Sequence, residues 1–96
     1  MNFNQKCYKL LRKVPKGKVT TYAAIAKALG TKAYRAVGNA MNKNKSKKIP
    51  CHRVINSNGS FGGYNKGLKK KIFLLKKEKI EIKDNKIDLG KYGWFF

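Results

Sequence analysis

A single glycine between two short apolar patterns does most to limit how this chain can fold. Ala24, Ile25, Ala28 and Leu29 recur at helical spacing before Gly30, and Ala33, Val37, Ala40 and Met41 do so after it. Thr20 or Thr21 is placed to cap the first helix, expected from Tyr22 to Leu29. Gly30 suits the left-handed position that ends it, and Thr31 can cap the next, expected from about Lys32 to Met41 or Asn42. Two short helices joined by a glycine-containing turn read as a helix-turn-helix, with the second helix the candidate groove reader. The pattern also fits many plain helical hairpins. Arg35 and Asn39 fall on the open face of the second helix, where Ala36, Gly38 and Ala40 let a backbone or a base come close.

The flanking segments extend this frame. Phe3, Cys7, Leu10, Leu11 and Val14 share one helical face, with Lys6, Lys9 and Arg12 outside it, and Pro15-Lys16-Gly17 ends that helix. Cys7 on the apolar face reads as a core thiol, with a second reactive group as the alternative. Asn42 to Lys48 is a polar loop, either a solvated connector or a strip facing phosphate through residues such as Lys43. Asn56 to Tyr64 is glycine-rich and predicts a turn followed by a loop folded over something. A helix is expected from Leu68 to Lys77, with Leu68, Ile72 and Leu75 on its apolar side. Ile80, Ile82, Ile87 and Leu89 alternate around Asp84-Asn85 as in a β-hairpin or wing, closed on the core by Tyr92, Trp94 and Phe95. The expected fold is mainly α with a small β-hairpin, a winged helix-turn-helix-like single domain over residues 1–96.

Charge narrows the partner. With 24 basic and 4 acidic residues the formal charge is +20, and a domain this basic suits a polyanion, most commonly nucleic acid. Twenty-one of the basic residues are lysine, so genome composition or a hot habitat also fits the bulk charge. No apolar run is long enough to span a membrane and no signal peptide is visible, so a cytoplasmic protein is expected, nucleoid-associated if prokaryotic. Two cysteines and one histidine cannot complete a closed zinc site without carboxylates. No metal, no cofactor, no Cys7–Cys51 disulfide and a monomeric state are expected.

Chemistry concentrates at Ile49-Pro50-Cys51-His52-Arg53-Val54, which holds the only histidine beside one of the two cysteines. A thiol attacks as thiolate, and with a free pKa of about 8.5 it needs a cation, a helix N-terminus or a base. Neighbouring side chains in extended backbone point to opposite faces, so Cys51 and His52 need a tight turn or a bridging water to exchange a proton. On these grounds alone Cys51 is either a nucleophile or a buried structural thiol. Of the four acids, Glu78, Glu81, Asp84 and Asp88, only Glu78 lies in the main body of the fold, where it can orient the imidazole or simply be solvated beside Lys77.

Taken together, Pro50-Cys51-His52-Arg53-Val54, Gly62-Gly63-Tyr64, Leu74-Leu75 and Glu78 follow Tyr22, Arg35-Ala36-Val37-Gly38 and Asn44 in an order that resembles the O6-alkylguanine-DNA alkyltransferases. The likeness runs from about Phe3 to Glu78. It implies a suicide methyltransferase in which Cys51 attacks the O6-alkyl carbon, His52 takes the thiol proton through a water, Glu78 backs His52, and Tyr64 donates to O6. It also implies a pocket built from Met41, Asn44, Arg53, Val54, Gly63 and Asn65, with Asn44 packing the recognition helix on the active-site turn. Arg35 would fill the stack after the base flips, Tyr22 would press on a phosphate, and Asn39 and Lys43 would meet duplex DNA containing O6-alkylguanine. Asn65 and Lys66 replace the small or aromatic residues usual after the lid tyrosine, and the Asn42–Lys48 loop is one residue shorter than in relatives. Short members of this kind include alkyltransferase-like proteins, which commonly carry tryptophan in place of the cysteine and flag damage without repairing it. The tail Ile87-Asp88-Leu89 through Trp94 resembles theirs, whereas Cys51 does not. A winged-helix regulator, the other class, needs neither His52, Glu78 nor Tyr64.

Overall fold

The computed structural model describes all 96 residues, Met1 to Phe96. In chain order it contains α1 (Phe3–Leu11), β1 (Thr20–Thr21), α2 (Tyr22–Ala28), α3 (Tyr34–Lys43), a 3-10 turn (Cys51–Arg53), β2 (Val54–Ile55), α4 (Leu68–Lys77) and α5 (Leu89–Tyr92). Local chemistry sets most of these ends. At α1 the Gln5 N–H donates to Asn2 Oδ1 at 2.8 Å while Gln5 Oε1 accepts from the Asn2 N–H at 3.0 Å, a reciprocal cap. Thr21 caps α2 by accepting from the Ala24 N–H at 3.0 Å, and Gly30 follows it at φ 74°. Thr31 instead closes a small turn, accepting from the Ala33 N–H at 3.1 Å. As a result α3 starts at Tyr34, later than its spacing predicts, and Ala33 stays exposed.

Helices α1, α2 and α3 enclose a first core around Cys7, Leu11, Ile25 and Val37. A second gathers Val19, Ile55, Phe61, Leu75, Ile80 and Ile87. The strands run between them, parallel, with Thr20 opposite Val54 and Thr21 opposite Ile55. Successive strand residues face opposite sides, so Val54 enters the first core and Ile55 the second. The turn preceding β2 is thereby set against the first core, where α4 also packs on it.

The fold is mainly helical with a small β part, but the β part lies elsewhere than expected. The Ile80–Leu89 hairpin contracts to a two-residue turn, with Asp84 and Asn85 at φ 53° and 59° and Lys83 and Lys86 exchanging backbone hydrogen bonds at 3.0 Å. Asp88 ends the alternation by accepting from the Gly90 N–H at 2.8 Å, which starts α5 where a second strand would run. The tail continues alongside β1: the Val19 N–H donates to Tyr92 O at 2.9 Å and the Trp94 N–H to Val19 O at 2.7 Å. Trp94 packs on the first core and Tyr92 on the second, whereas Phe95 is 55% exposed and closes nothing. Helix α4 has the expected bounds but a different buried face. Leu68 is exposed, Ile72 is half-buried, and Lys71 is fully buried with Leu75. No helix is long and apolar enough to cross a membrane.

Candidate active site

Pro50 leads the chain into a tight coil. The Cys51 N–H donates to Ile49 O at 2.9 Å and the Arg53 N–H to Pro50 O at 3.0 Å. At three residues per turn, successive side chains of a 3-10 helix diverge by about 120°. Cys51 accordingly enters the first core, 6% exposed, while His52 and Arg53 reach the end of α4. The turn is tight, yet the two side chains diverge, and no hydrogen bond joins Cys51 to His52.

Glu78, at the C-terminal cap of α4, collects the rest. Its Oε2 lies 2.6 Å from His52 Nε2, and Arg53 grips both carboxylate oxygens through Nε and Nη2 at 2.9 to 3.2 Å. Arg53 Nη1 donates to Val14 O at 3.0 Å, and the Gly17 N–H donates to Glu78 Oε1 at 3.1 Å. One carboxylate therefore ties the segment after α1, the turn and α4 together. Burial by itself raises the Glu78 pKa, but hydrogen bonds from Arg53, His52 and Gly17 hold it down to about 2, so it is ionised. His52 is pushed the other way: burial lowers its pKa below 6.5, the Arg53 and Lys71 charges adding and Glu78 opposing. A neutral imidazole donating from Nε2 to Glu78 keeps Nδ1 free as a proton acceptor.

Cys51 Sγ accepts from Asn44 Nδ2 at 2.9 Å. Burial raises the thiol pKa, while Asn44, Lys71 and Lys66 draw it back. The resting group is a thiol, and a thiol becomes a strong nucleophile only once a base takes its proton. Asn44 also donates to Ser46 O at 3.2 Å and accepts from the Ser46 N–H at 3.0 Å. As the residue capping α3, it pins that helix to Cys51 despite the short loop.

A cavity of about 520 Å³ opens beside this group, lined among others by Asn44, Cys51, His52, Tyr64, Asn65 and Lys66. Arg53 lines it too, although its guanidinium is engaged by Glu78 and Val14. Asn65 fastens the glycine-rich loop to the end of α3, donating to Asn44 O at 2.7 Å and Asn42 O at 3.3 Å. Met41 and Val54 are buried in the first core rather than lining the cavity. Tyr22, Arg35 and Gly63 line a separate groove of about 420 Å³ with Gly38 and Gly62. Gly62 sits at φ 69°, and a Cβ there would meet the Tyr22 ring at 3.0 Å, so the loop lies close on Tyr22 only as glycine. Asn39 and Lys43 are exposed on α3 and line neither concavity.

Lys71 was not legible as part of the site. Its Nζ donates to Val54 O at 2.7 Å, to Gly63 O at 3.1 Å and to Phe61 O, and stands 5.8 Å from the centre of the Tyr22 ring. It joins β2, the glycine-rich loop and the start of α2. Burial brings its pKa down to about 8, with Cys51 opposing. One signal was available: in Lys69-Lys70-Lys71 only position 71 is four residues before Leu75, on the buried face.

Residues 2–80 match the family model described as 6-O-methylguanine DNA methyltransferase, DNA binding domain. The bifunctional methyltransferase/endonuclease of Picrophilus torridus is 47% identical over 87 residues, covering 88% of this chain and 29% of the relative. The methylated-DNA–protein-cysteine methyltransferase of Methanosarcina mazei is 48% identical over 83 residues, covering 84% of this chain and 52% of the relative. The chain thus spans about half, or less, of these curated relatives. The crystal structure of S. pombe Atl1 in complex with damaged DNA containing O6-carboxymethylguanine superposes with a TM-score of 0.86 at 34% identity, covering 96% of this chain and 94% of that one.

Proposed function

The chain belongs to the 6-O-methylguanine DNA methyltransferase family, and we propose that it moves the alkyl group of O6-alkylguanine in duplex DNA onto its own Cys51. The observation that carries this reading is the setting of Cys51: a thiol on the cavity wall, next to a neutral His52 that is backed by an ionised Glu78. Sγ attacks the alkyl carbon in line with the C–O6 bond, forming S–C as C–O6 breaks. The thiol proton passes through a water to His52 Nδ1, and Glu78 stabilises the resulting imidazolium. Burial, with Cys51 adding, raises the Tyr64 pKa above its usual 10, so its hydroxyl stays protonated and donates to the departing O6. The thioether is stable, so each molecule reacts once.

The reacting atom lies inside the duplex, so the nucleotide has to be extruded. Arg35, on the groove beside Tyr22, fills the vacated position, while Tyr22 meets the neighbouring phosphate. Arg35→Ala is therefore expected to slow transfer from duplex much more than transfer from free O6-methylguanine. The difference corresponds to the few kcal/mol of unstacking that the arginine offsets. Equal losses on both substrates would remove Arg35 from that role.

The direct test is incubation with DNA carrying O6-methylguanine, followed by mass spectrometry of tryptic peptides. One methyl group per protein on Cys51 is expected. None is expected on Cys7, which is fully buried and whose thiol is pushed up to about 11 by burial. Methyl on Cys7, or turnover beyond one equivalent, would overturn the mechanism. A non-repairing damage sensor is the second reading, favoured by the match to Atl1 over nearly the whole of both chains. Tight binding of damaged duplex with Cys51 unmodified would establish it.

A further inference from the structure

Tyr34 opens α3 and is 54% exposed, a large aromatic surface at one end of the groove that Tyr22 and Arg35 line. Gly38 and Asn42 stand four and eight residues further along and line the same groove, so Tyr34 shares their helix face. An added Cβ at Gly38 would meet nothing within 4 Å, so the groove has open space next to the ring. Arg35 contributes a fixed charge and no carboxylate lines the groove, in a chain of net charge +20. A surface of this kind fits a polyanion that also offers flat apolar faces, which is the chemistry of a nucleic acid. Arginine and lysine suffice for phosphate. An aromatic ring adds affinity only where it can lie against another π face.

We propose that Tyr34 is a second stacking residue beside Arg35, its ring packing on a base adjacent to the position that the extruded nucleotide leaves. The inference rests on the duplex reading given above and adds a residue to it. The ring performs this work and the hydroxyl does not, so phenylalanine can replace it and alanine cannot.

The test uses the full chain and duplexes with and without O6-methylguanine, with 2-aminopurine placed beside the lesion position. Tyr34→Ala is expected to bind duplex about tenfold more weakly, the scale of one base–aromatic stack. Its ratio of duplex to free-base transfer rates should fall by a similar factor, and Tyr34→Phe should restore both. The slope of log affinity against log salt should stay at the wild-type value, because no phosphate contact is lost. Extrusion of the lesion unstacks the neighbouring 2-aminopurine, so Tyr34→Ala should brighten it on binding, while wild type and Tyr34→Phe, whose rings cover the exposed face, should keep it quenched. Wild-type affinity in Tyr34→Ala, failure of Tyr34→Phe to rescue, or a salt slope flatter by about one unit would each overturn the proposal. Absence of transfer to Cys51 by wild type on either substrate would instead defeat the proposed chemistry. The affinity and fluorescence comparisons would still decide Tyr34.

Discussion

Glu78→Gln and His52→Ala are each expected to slow alkyl transfer to Cys51 by about 10²–10⁴-fold, the usual range for losing general-base assistance. The thiol pKa is raised by burial, so little thiolate is present without a base. Glutamine matches glutamate in size but cannot stabilise the imidazolium charge. The pH profile separates this role from a structural one. Only neutral His52 accepts the proton, so the wild-type rate should hold at neutral pH and fall only once pH drops below 6.5, the ordinary histidine value from which His52 is lowered. Glu78 is what holds that pKa up against burial and the Arg53 charge. In Glu78→Gln the acid limb should therefore move to still lower pH while the plateau drops. Wild-type rates in both variants would transfer the activation of Cys51 to Lys71 or Lys66. Stability carries a second signature. A carboxylate depressed from 4.5 to about 2 stabilises the fold above pH 4.5, and the contribution disappears as pH falls toward 2. The stability gap between wild type and Glu78→Gln should close over that interval.

Lys71→Met is expected to lower unfolding stability by about 3 kcal/mol and to loosen the loop that carries Tyr64. Methionine fills the volume and removes a buried charge, which by itself is close to neutral. Three carbonyls, those of Val54, Phe61 and Gly63, lose their shared donor, and a buried acceptor left without a partner costs about 1–3 kcal/mol. Some of these carbonyls retain other partners, Gly63 O accepting from Tyr22 Oη at 3.4 Å, so the total stays below the simple sum. Urea unfolding measures the stability, and hydrogen exchange at residues 61–64 measures the loop. The sign of the pH dependence follows from a depressed lysine pKa. Between about 8 and 10.5 the unfolded chain holds a proton at Lys71 that the folded chain has released, so folding gains stability as pH rises through that window. Wild type should gain on Lys71→Met there. A variant as stable as wild type with an unchanged loop would reduce Lys71 to a filler of space.

Local signals carried much of this protein. Helix positions were legible because caps and apolar period act over a few residues: Thr21 and Gly30 bound α2 as read, and α4 runs from Leu68 to Lys77 as its spacing predicts. Cys51 and His52 stand out because no other histidine exists, and Glu78 because the other three acids crowd into the tail. Tertiary structure decided what those signals do not encode, namely what each buried face meets. Two residues at Thr20–Thr21 and two at Val54–Ile55 have no periodicity of their own, and they became strands because each lies against the other between two cores. The alternation around Asp84-Asn85 is a local β signal, yet the Asp88 cap and the burial of Ile80 and Ile87 left only its turn. Arg53 was read as a pocket residue and does line the cavity, but Val14 O and Glu78, both remote in sequence, hold its guanidinium. Among 21 lysines the helical spacing to Leu75 could mark Lys71 as buried, but only the fold supplied its three acceptors, which come from segments that no spacing rule relates to α4.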